Sequence, residues 1–226
     1  MLKRLLRRVR TTDTPTLSSL RAYALWAHDY PPHAHNALMQ AEEAAMLGLL
    51  PGLSGKTVLD LACGSGRYAR IAGEQAARQV IAIDNSLHML QTGQAALDRH
   101  DFIQGDSLHV PLKGGSVDVL LCGLAIGHLS ELDPAIAEIS RVLRTGGVAL
   151  ISDFHPFLFL DGKQRTFTAP DGGTYAVEHH AHLYSDLHAA AQRNRLTIDA
   201  IREPRLEIDG RTVPAVIVYR MLKSAP

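Results

Sequence analysis

The chain has 226 residues, a formal net charge of zero, 46% apolar residues and two cysteines. This length and composition predict a globular protein with a substantial core, built as one large domain or as one domain with a small cap. Two cysteines exclude a disulfide framework and are typical of a reducing cytoplasm, where we expect the protein to reside. No run of 18 apolar residues occurs, so we expect no membrane-spanning segment.

The first segment is strongly basic. Its five basic residues, which all precede the first acid, are Lys3, Arg4, Arg7, Arg8 and Arg10. Its apolar residues share one helical face, as in helices that lie on membranes or partners, but ten residues are short for a stable helix, and we expect a loosely packed terminus. Acids outnumber basic residues in the rest of the chain, which argues against a nucleic-acid substrate.

Residues 16–50 follow a helical pattern that Pro31 and Pro32 interrupt, since proline ends a helix. The aromatic residues Tyr23, Trp26 and Tyr30 recur at roughly helical spacing in the first of these helices, which is typical of core packing. We therefore divide the chain into a basic segment and helical cap at residues 1–52 and a main domain at residues 53–226.

From Gly55 onward, apolar strand patterns alternate with helical ones, which predicts a parallel sheet covered on both faces. The predicted strands lie near residues 57–62, 79–84, 101–105, 117–122 and 147–153. After His155 the pattern changes to an aromatic, glycine-rich segment at 157–173, a helix near 185–195, and two last strands at 196–202 and 213–222. In such a sheet, ligands bind beyond the carboxyl ends of the strands.

The segment Val58 to Tyr68, VLDLACGSGRY, joins a buried strand to a helix through two glycines. Gly64 and Gly66 allow the backbone to turn sharply and to approach a ligand. Asp84 ends the next strand twenty residues after Gly64, where a carboxylate can accept hydrogen bonds from both hydroxyls of a ribose. The pattern predicts a site for a cofactor that contains a nucleoside.

The same glycine spacing also fits a nicotinamide dinucleotide site. Asp60 argues against that alternative, because a dinucleotide site has no need of a charge inside the first strand, whereas a cationic ligand has. Asp106 ends the third strand, where it can meet an adenine amino group, although an acid after a strand is also a common helix cap. The sequence also contains no second mononucleotide-binding half.

Together these features resemble the class I methyltransferases that use S-adenosylmethionine, over residues 53–155. Within that family the chain looks most like the small-molecule enzymes, since Glu203 and Pro204 follow the sixth strand. The resemblance implies a doubly wound, Rossmann-like α/β fold with a mostly parallel seven-stranded sheet, its last strand antiparallel, and an N-terminal helical cap. It also implies these cofactor-binding residues: Asp60, Ala62, Gly64, Gly66, Asp84, Asn85, Asp106, Ser107 and Gly123.

The activity implied is transfer of a methyl group from S-adenosylmethionine to an oxygen, nitrogen or carbon atom of a small molecule, by a monomer or a homodimer. Because the cofactor carries the reactive group, the protein mainly has to orient the reactants. Two alternatives stay open: a protein of this fold that binds the cofactor without methylating, and a nicotinamide-dependent oxidoreductase.

Two histidines are candidate catalytic residues. His128 follows the fourth strand close to the expected methyl position, where it would deprotonate or orient the acceptor, or only pack the loop. His155 follows the fifth strand directly, where it would face the substrate or bond to Asp153. The histidines at positions 179, 180, 182 and 188 lack an accompanying cysteine or paired acid, so we expect no metal site. Cys63 and Cys122 are expected to be small buried hydrophobic residues.

Overall fold

The computed structural model describes residues 14–97 and 101–225, so the basic segment predicted at the N-terminus lies outside the described residues. The helices are α1 (Ser19–Trp26), α2 (Ala37–Leu49), α3 (Arg67–Glu74), α4 (Leu87–Ala96), α5 (Asp133–Val142), α6 (Pro156–Leu160) and α7 (Tyr184–Arg193). Short 3₁₀ turns cover Ala27–Asp29 and Ile126–His128. In the described part of the chain, no helix is long and apolar enough to cross a membrane.

Twelve strands occur among these described residues. They are β1 (Thr16–Leu17), β2 (Thr57–Leu61), β3 (Gln79–Asp84), β4 (Asp101–Gln104), β5 (Val117–Gly123), β6 (Leu143–Phe154), β7 (Thr166–Thr168), β8 (Thr174–Val177), β9 (Leu196–Arg202), β10 (Arg205–Ile208), β11 (Arg211–Pro214) and β12 (Val216–Lys223).

A seven-stranded sheet in the order β4-β3-β2-β5-β6-β12-β9 forms the centre of the fold. Strands β2 to β6 pair in parallel, and β12 runs antiparallel to both of its neighbours. The predicted doubly wound, mostly parallel sheet with an antiparallel last strand is therefore confirmed. The chain reverses its direction across the sheet between β2 and β5, which is where such folds place ligands.

Both faces of this sheet are covered, as its nearly continuous apolar strands require. Val58 and Leu59, which are neighbours in β2, belong to hydrophobic clusters on opposite faces, and Val119 and Leu120 in β5 divide in the same way. Side chains alternate between the faces of a strand, so every central strand contributes to both halves of the core. This burial fixes the register that aligns the carboxyl ends of the strands.

A second, smaller sheet in the order β1-β8-β7 lies in the N-terminal part of the fold. Together with α1 it surrounds a separate small core, formed by Ala22, Phe167, Ala169 and Val177. We call this unit, β1 and α1 with β7 and β8, the cap. The sequence predicts its helix but not its strands, because they are two to four residues long and β1 pairs with β8 across more than a hundred residues.

The predicted boundary at residue 52 remains a prediction. The helix α2, which lies before that boundary, packs its residues Met39, Met46 and Leu49 into one main-sheet cluster. The strand predicted near residues 147–153 corresponds to β6, which begins at Leu143, four residues earlier than expected.

Glu42 connects α2 to the main domain through a buried polar network. Its carboxylate forms an ion pair with Arg67, with 2.6 Å between Oε2 and Nη2, and it accepts hydrogen bonds from Tyr68 at 2.7 Å and from Ser152. Glu42 itself is fully buried. A buried ion pair adds little net stability, but removing one partner leaves a buried charge uncompensated.

Replacing Glu42 by Ala is therefore expected to lower the free energy of unfolding by about 3–5 kcal/mol, measured by urea denaturation. Glu43 is the matched control, because it lies 3.3 Å from the same Arg67 but is partly exposed, and Glu43→Ala should cost about 1 kcal/mol or less. Equal losses in the two variants would show that the network does not stabilise the position of α2.

Candidate functional site

An open cleft lies beyond the carboxyl ends of β2, β3 and β5. Its empty space is about 1180 Å³, including the part open to solvent. Eight of the sequence-predicted site residues line it, namely Asp60, Ala62, Gly64, Asp84, Asn85, Ser107, Gly123 and His128. The cleft is where the sheet topology predicts a ligand site.

Three other predicted residues do not line this cleft. Gly66 caps α3 in the left-handed region at φ +84°, and a Cβ there would lie 2.9 Å from Leu97. Its role in the structure is thus close packing. Asp106 is exposed, and its carboxylate accepts a hydrogen bond from the amide of Leu108 at 2.9 Å, which is the turn-capping alternative.

His155 also lies away from the cleft, which disagrees with the substrate-facing role expected for it. Its Nδ1 accepts a hydrogen bond from the amide of Phe157 at 3.1 Å and so caps α6, while Nε2 lies 3.1 Å from Glu203. Within residues 14–97 and 101–225, the His155 ring has these two partners and does not bond to Asp153 as expected. Proline follows at the first position of α6, which explains why the strand ends in a helix cap here.

The loop after β2 brings its backbone to the cleft. Ala62 and Gly64 both have positive φ angles, of 54° and 56°. A Cβ at Gly64 would lie 3.1 Å from the methyl carbon of Met89, so a larger residue would crowd the cleft wall. Ser65 on the same loop is buried, and its hydroxyl has no hydrogen-bond partner. An orphaned polar atom at a cleft is expected where a ligand completes the hydrogen bonding.

Asp84 lies at the tip of β3, with its carboxylate held from both sides. Oδ2 accepts a hydrogen bond from the amide of Gly64 and Oδ1 accepts one from the amide of Ser86, each at 2.8 Å. Burial raises the pKa of Asp84, and these amides oppose that rise. Each oxygen has a second lone pair, so the carboxylate can also accept hydrogen bonds from two vicinal hydroxyls.

Asp60 lies inside β2 and is almost fully buried, with 1% of its surface exposed. Its Oδ2 accepts a hydrogen bond from the amide of Ala69, the first-turn region of α3, at 2.8 Å. Burial raises the pKa of Asp60 to about 7, although this amide and the charge of Arg67 oppose the rise. A cationic group in the cleft would favour the ionised form. The orphaned Ser65 hydroxyl, the Asp84 carboxylate and Asp60 together fit a ligand that carries a diol and a positive charge.

His128 faces the cleft as a neutral imidazole. Its Nδ1 lies 2.9 Å from the carbonyl oxygen of Glu178 and must therefore carry the proton. Nε2 then accepts from the Tyr23 hydroxyl at 3.2 Å and from Nη1 of Arg165 at 3.3 Å. Burial, reinforced by the charge of Arg165, lowers the pKa of His128 to about 4. With its lone pair occupied, this imidazole orients neighbouring groups and is poorly suited to take a proton.

The protonation state of His128 is directly measurable. Its ring signals, assigned in NMR spectra by their loss in His128→Gln, should stay those of a neutral imidazole from pH 8 down to about 5. The physical reason is burial beside a cation. A midpoint near 6.5, the ordinary value for histidine, would contradict this arrangement and restore His128 as a candidate base.

Arg165 also lines the cleft, and sequence reasoning missed it. It lies between α6 and β7, in the segment for which the pattern indicates only an aromatic, glycine-rich stretch. No local sequence pattern identifies Arg165 as a site residue, since its cleft contacts include His128 and Tyr23, which lie 37 and 142 positions away in the chain. Tyr23 and Tyr30 of the N-terminal region line the same part of the cleft.

Asp153 and His179 form a buried pair below the loop that carries His128. Their closest atoms, Oδ1 and Nε2, are 3.3 Å apart, and Asp153 also accepts a hydrogen bond from the amide of Gly127. Burial alone would raise the pKa of Asp153, but His179 and His128 hold it below its usual range. No group of three or more histidine, cysteine or acidic side chains in the described ranges has the placement of metal ligands.

The two cysteines, Cys63 and Cys122, are buried at the floor of the cleft. Burial raises the pKa of both thiols. A thiol is nucleophilic only as the thiolate, so these side chains act as small hydrophobic residues here.

Comparison with known proteins finds relatives of the part of the chain that forms this cleft. Residues 59–151 match the family described as methyltransferase domain. The chain is 36% identical over 140 residues to malonyl-[acyl-carrier protein] O-methyltransferase of Pectobacterium atrosepticum, covering 57% of this chain and 54% of that protein. It is 33% identical over 129 residues to demethylmenaquinone methyltransferase of Lactococcus lactis, covering 54% of this chain and 50% of that protein.

The chain thus spans about half the length of the curated relatives it matches. Among solved structures, the chain superposes on a Listeria monocytogenes protein that is assigned as an S-adenosylmethionine-dependent methyltransferase. The TM-score is 0.70 and the sequence identity is 20%. That superposition covers 82% of this chain and 99% of the other, and it shows a shared fold. The family match includes Asp60, Gly64 and Asp84 but ends before Arg165.

Proposed function

From the membership of this chain in the class I S-adenosylmethionine-dependent methyltransferases, we propose that it transfers a methyl group from S-adenosylmethionine to an oxygen, nitrogen or carbon atom of a small molecule. The observation that carries the proposal is Asp84, held by two amides at the tip of β3 and open to the cleft. Its neighbours supply the backbone loop and the buried acid that a cationic nucleoside requires.

In this proposal each residue has a binding role. Asp84 accepts the ribose hydroxyls, Asp60 provides negative charge beneath the cationic part, and Ser65 gains a partner for its hydroxyl. Ala62, Gly64, Asn85, Ser107 and Gly123 form the surrounding wall. Gly66 supports the loop by packing. The Asp106 carboxylate accepts from the amide of Leu108 through Oδ1 and has further lone pairs for the predicted contact with adenine.

The bound cofactor supplies an activated methyl group, so the chain's own residues have to align the acceptor and exclude water. Tyr23 and His128 line the same cleft as Asp84 and are hydrogen-bonded to each other. We assign them to positioning of the acceptor. The names of the matched relatives refer to different acceptors, a malonyl-acyl carrier protein and demethylmenaquinone, so they support methyl transfer without selecting an acceptor.

We also propose that the protein works in the cytoplasm as a monomer or homodimer and that its acceptor is not a nucleic acid. The support is the acidic excess that follows the basic segment, since a nucleic-acid surface needs clustered basic residues.

Calorimetry and an isotope assay test the proposal. S-adenosylmethionine and S-adenosylhomocysteine should bind, NADH should not, and label from the methyl group should appear in an acceptor from a small-molecule extract. Binding of NADH in preference to S-adenosylhomocysteine would refute the cofactor assignment. Cofactor binding without any labelled product across the extract would favour the alternative of a binding protein.

A further inference from the structure

We propose that the acceptor carries a carboxylate group and that Arg165 binds it. This proposal rests on the proposed function, because it takes the cleft as the place where cofactor and acceptor meet. Arg165 is the observation that leads to it: a buried guanidinium, 9% exposed, on the wall of the cleft.

Arg165 has no anionic partner of its own. Arg165 forms no ion pair with any acidic side chain among residues 14–97 and 101–225. Asp153 is the carboxylate that influences it electrostatically, but its oxygens are bonded to Gly127, Phe154 and His179. Buried charges in proteins are normally paired, so an unpaired one facing a cleft indicates that a ligand supplies the counter-charge.

The guanidinium is also held in a fixed orientation. Nη1 donates to the carbonyl of Leu124 at 2.9 Å and to Nε2 of His128 at 3.3 Å. The rings of Tyr23 and Phe154 pack against it, with centroids 5.5 and 5.1 Å from Cζ. A cation held in this way is preorganised for a ligand and loses little freedom on binding.

The position of Arg165 matches the acceptor's side of the cleft. The two acids assigned to the cofactor, Asp60 and Asp84, lie in β2 and β3, whereas Arg165 bonds to Leu124 and His128 in the loop after Gly123, the cofactor residue that ends β5. The Asp84 carboxylate would repel an acceptor anion, and Asp60 would add to that repulsion when ionised. These charges orient an anionic acceptor so that its carboxylate points to Arg165 and away from the nucleoside site.

A carboxylate suits this place better than a phosphate. Among the described residues, one other arginine lines the cleft, Arg67, and it forms an ion pair with Glu42. A single free positive charge matches a monoanion. A planar guanidinium flanked by aromatic rings also matches the planar carboxylate, which it can bind through two parallel hydrogen bonds.

Thermal unfolding of the S-adenosylhomocysteine complex tests the proposal without turnover. Malonate, succinate and benzoate are the probes, each compared with its neutral amide and with inorganic phosphate at equal ionic strength. We expect at least one carboxylate to raise the Tm of the wild type while its amide does not. Arg165→Met should weaken binding of that carboxylate at least tenfold. Arg165→Lys keeps the charge without the planar guanidinium and should weaken the binding less.

The matched control is Arg202→Met, since Arg202 is exposed on β9 and bonds to the carbonyl of Ile201, its own neighbour in the chain. It should behave as the wild type. Binding of S-adenosylhomocysteine by Arg165→Met shows that the variant is folded. If Arg165→Met does not fold, Arg165→Lys alone decides. A reduced preference for carboxylate over amide supports the proposal, and an unchanged preference contradicts it.

Three results would overturn the proposal: no carboxylate stabilises the wild-type complex, carboxylates stabilise Arg165→Met as strongly as the wild type, or phosphate is the anion whose effect depends on Arg165. Failure of the proposed function looks different, because S-adenosylhomocysteine itself would then not raise the Tm. The two failures are therefore separable in one set of melting curves.

Discussion

Asp84→Ala is expected to weaken binding of S-adenosylmethionine by about 2–4 kcal/mol, which is roughly 30- to 1000-fold in Kd, measured by calorimetry. The physical reason is the loss of two charge-assisted hydrogen bonds to the ribose. Asp84→Asn removes the charge but keeps one acceptor oxygen, so we expect an intermediate loss.

Asp106 offers the matched control, because it is the acid at the tip of the neighbouring strand but is exposed and outside the cleft wall. Asp106→Ala should cost less than Asp84→Ala. If the two losses are equal, adenine recognition by Asp106 contributes as much as ribose recognition. If Asp84→Ala changes affinity less than threefold, the ribose assignment is wrong.

Asp60→Asn is expected to flatten the dependence of stability on pH. The folded protein holds the pKa of Asp60 at about 7, against 3.8 for the unfolded chain. A carboxyl whose pKa is raised by folding stabilises fully below the unfolded value, and this contribution is lost as the pH rises from about 4 to about 7. The lost free energy of unfolding is about 4 kcal/mol, since each pKa unit is worth about 1.4 kcal/mol.

Urea denaturation of wild type and Asp60→Asn at several pH values measures this effect. The wild type should lose stability relative to the variant between pH 4 and 7, and the difference should be constant above about pH 8. Because Asn keeps an oxygen for the amide of Ala69, the comparison isolates the charge. A difference independent of pH would mean that Asp60 ionises in the folded protein as readily as in the unfolded chain.

Such a penalty is understandable if the buried charge serves binding. A cationic ligand favours ionised Asp60, so binding of S-adenosylmethionine near neutral pH should release protons. We expect calorimetry in buffers of different ionisation heat to show this release for the wild type and not for Asp60→Asn. The variant would then be more stable at pH 8 and weaker in cofactor binding.

The sequence was sufficient for the sheet and for the residues that line the cleft at the ends of β2 and β3. Asp60, Gly64 and Asp84 lie within one strand-loop-helix-strand segment, where their distances along the chain fix their distances in space. Their identification needed only the continuous apolar strand patterns and the glycine spacing.

The acceptor side of the cleft was not predictable in this way. Arg165 meets Tyr23 and His128 through contacts that span the chain, and no local pattern encodes such contacts. The expected roles of His155 and Asp106 followed from their place after a strand, but each side chain found a nearer partner in a helix cap or a turn. The position of a residue along a strand predicts where its backbone lies, but it does not predict the hydrogen-bond partner of its side chain.

The separate core of the cap has a consequence for how tightly any ligand is held. The cap's own core is small and includes Phe167 and Val177, whereas the main sheet has a large cluster on each face. Opening of the cap is therefore expected to cost less free energy than opening of the main sheet. Tyr23 belongs to the cap and is hydrogen-bonded to His128 at the cleft, so such an opening would break a contact in the cleft wall. We therefore expect the packing of Phe167, which does not line the cleft, to influence the residence time of a bound ligand.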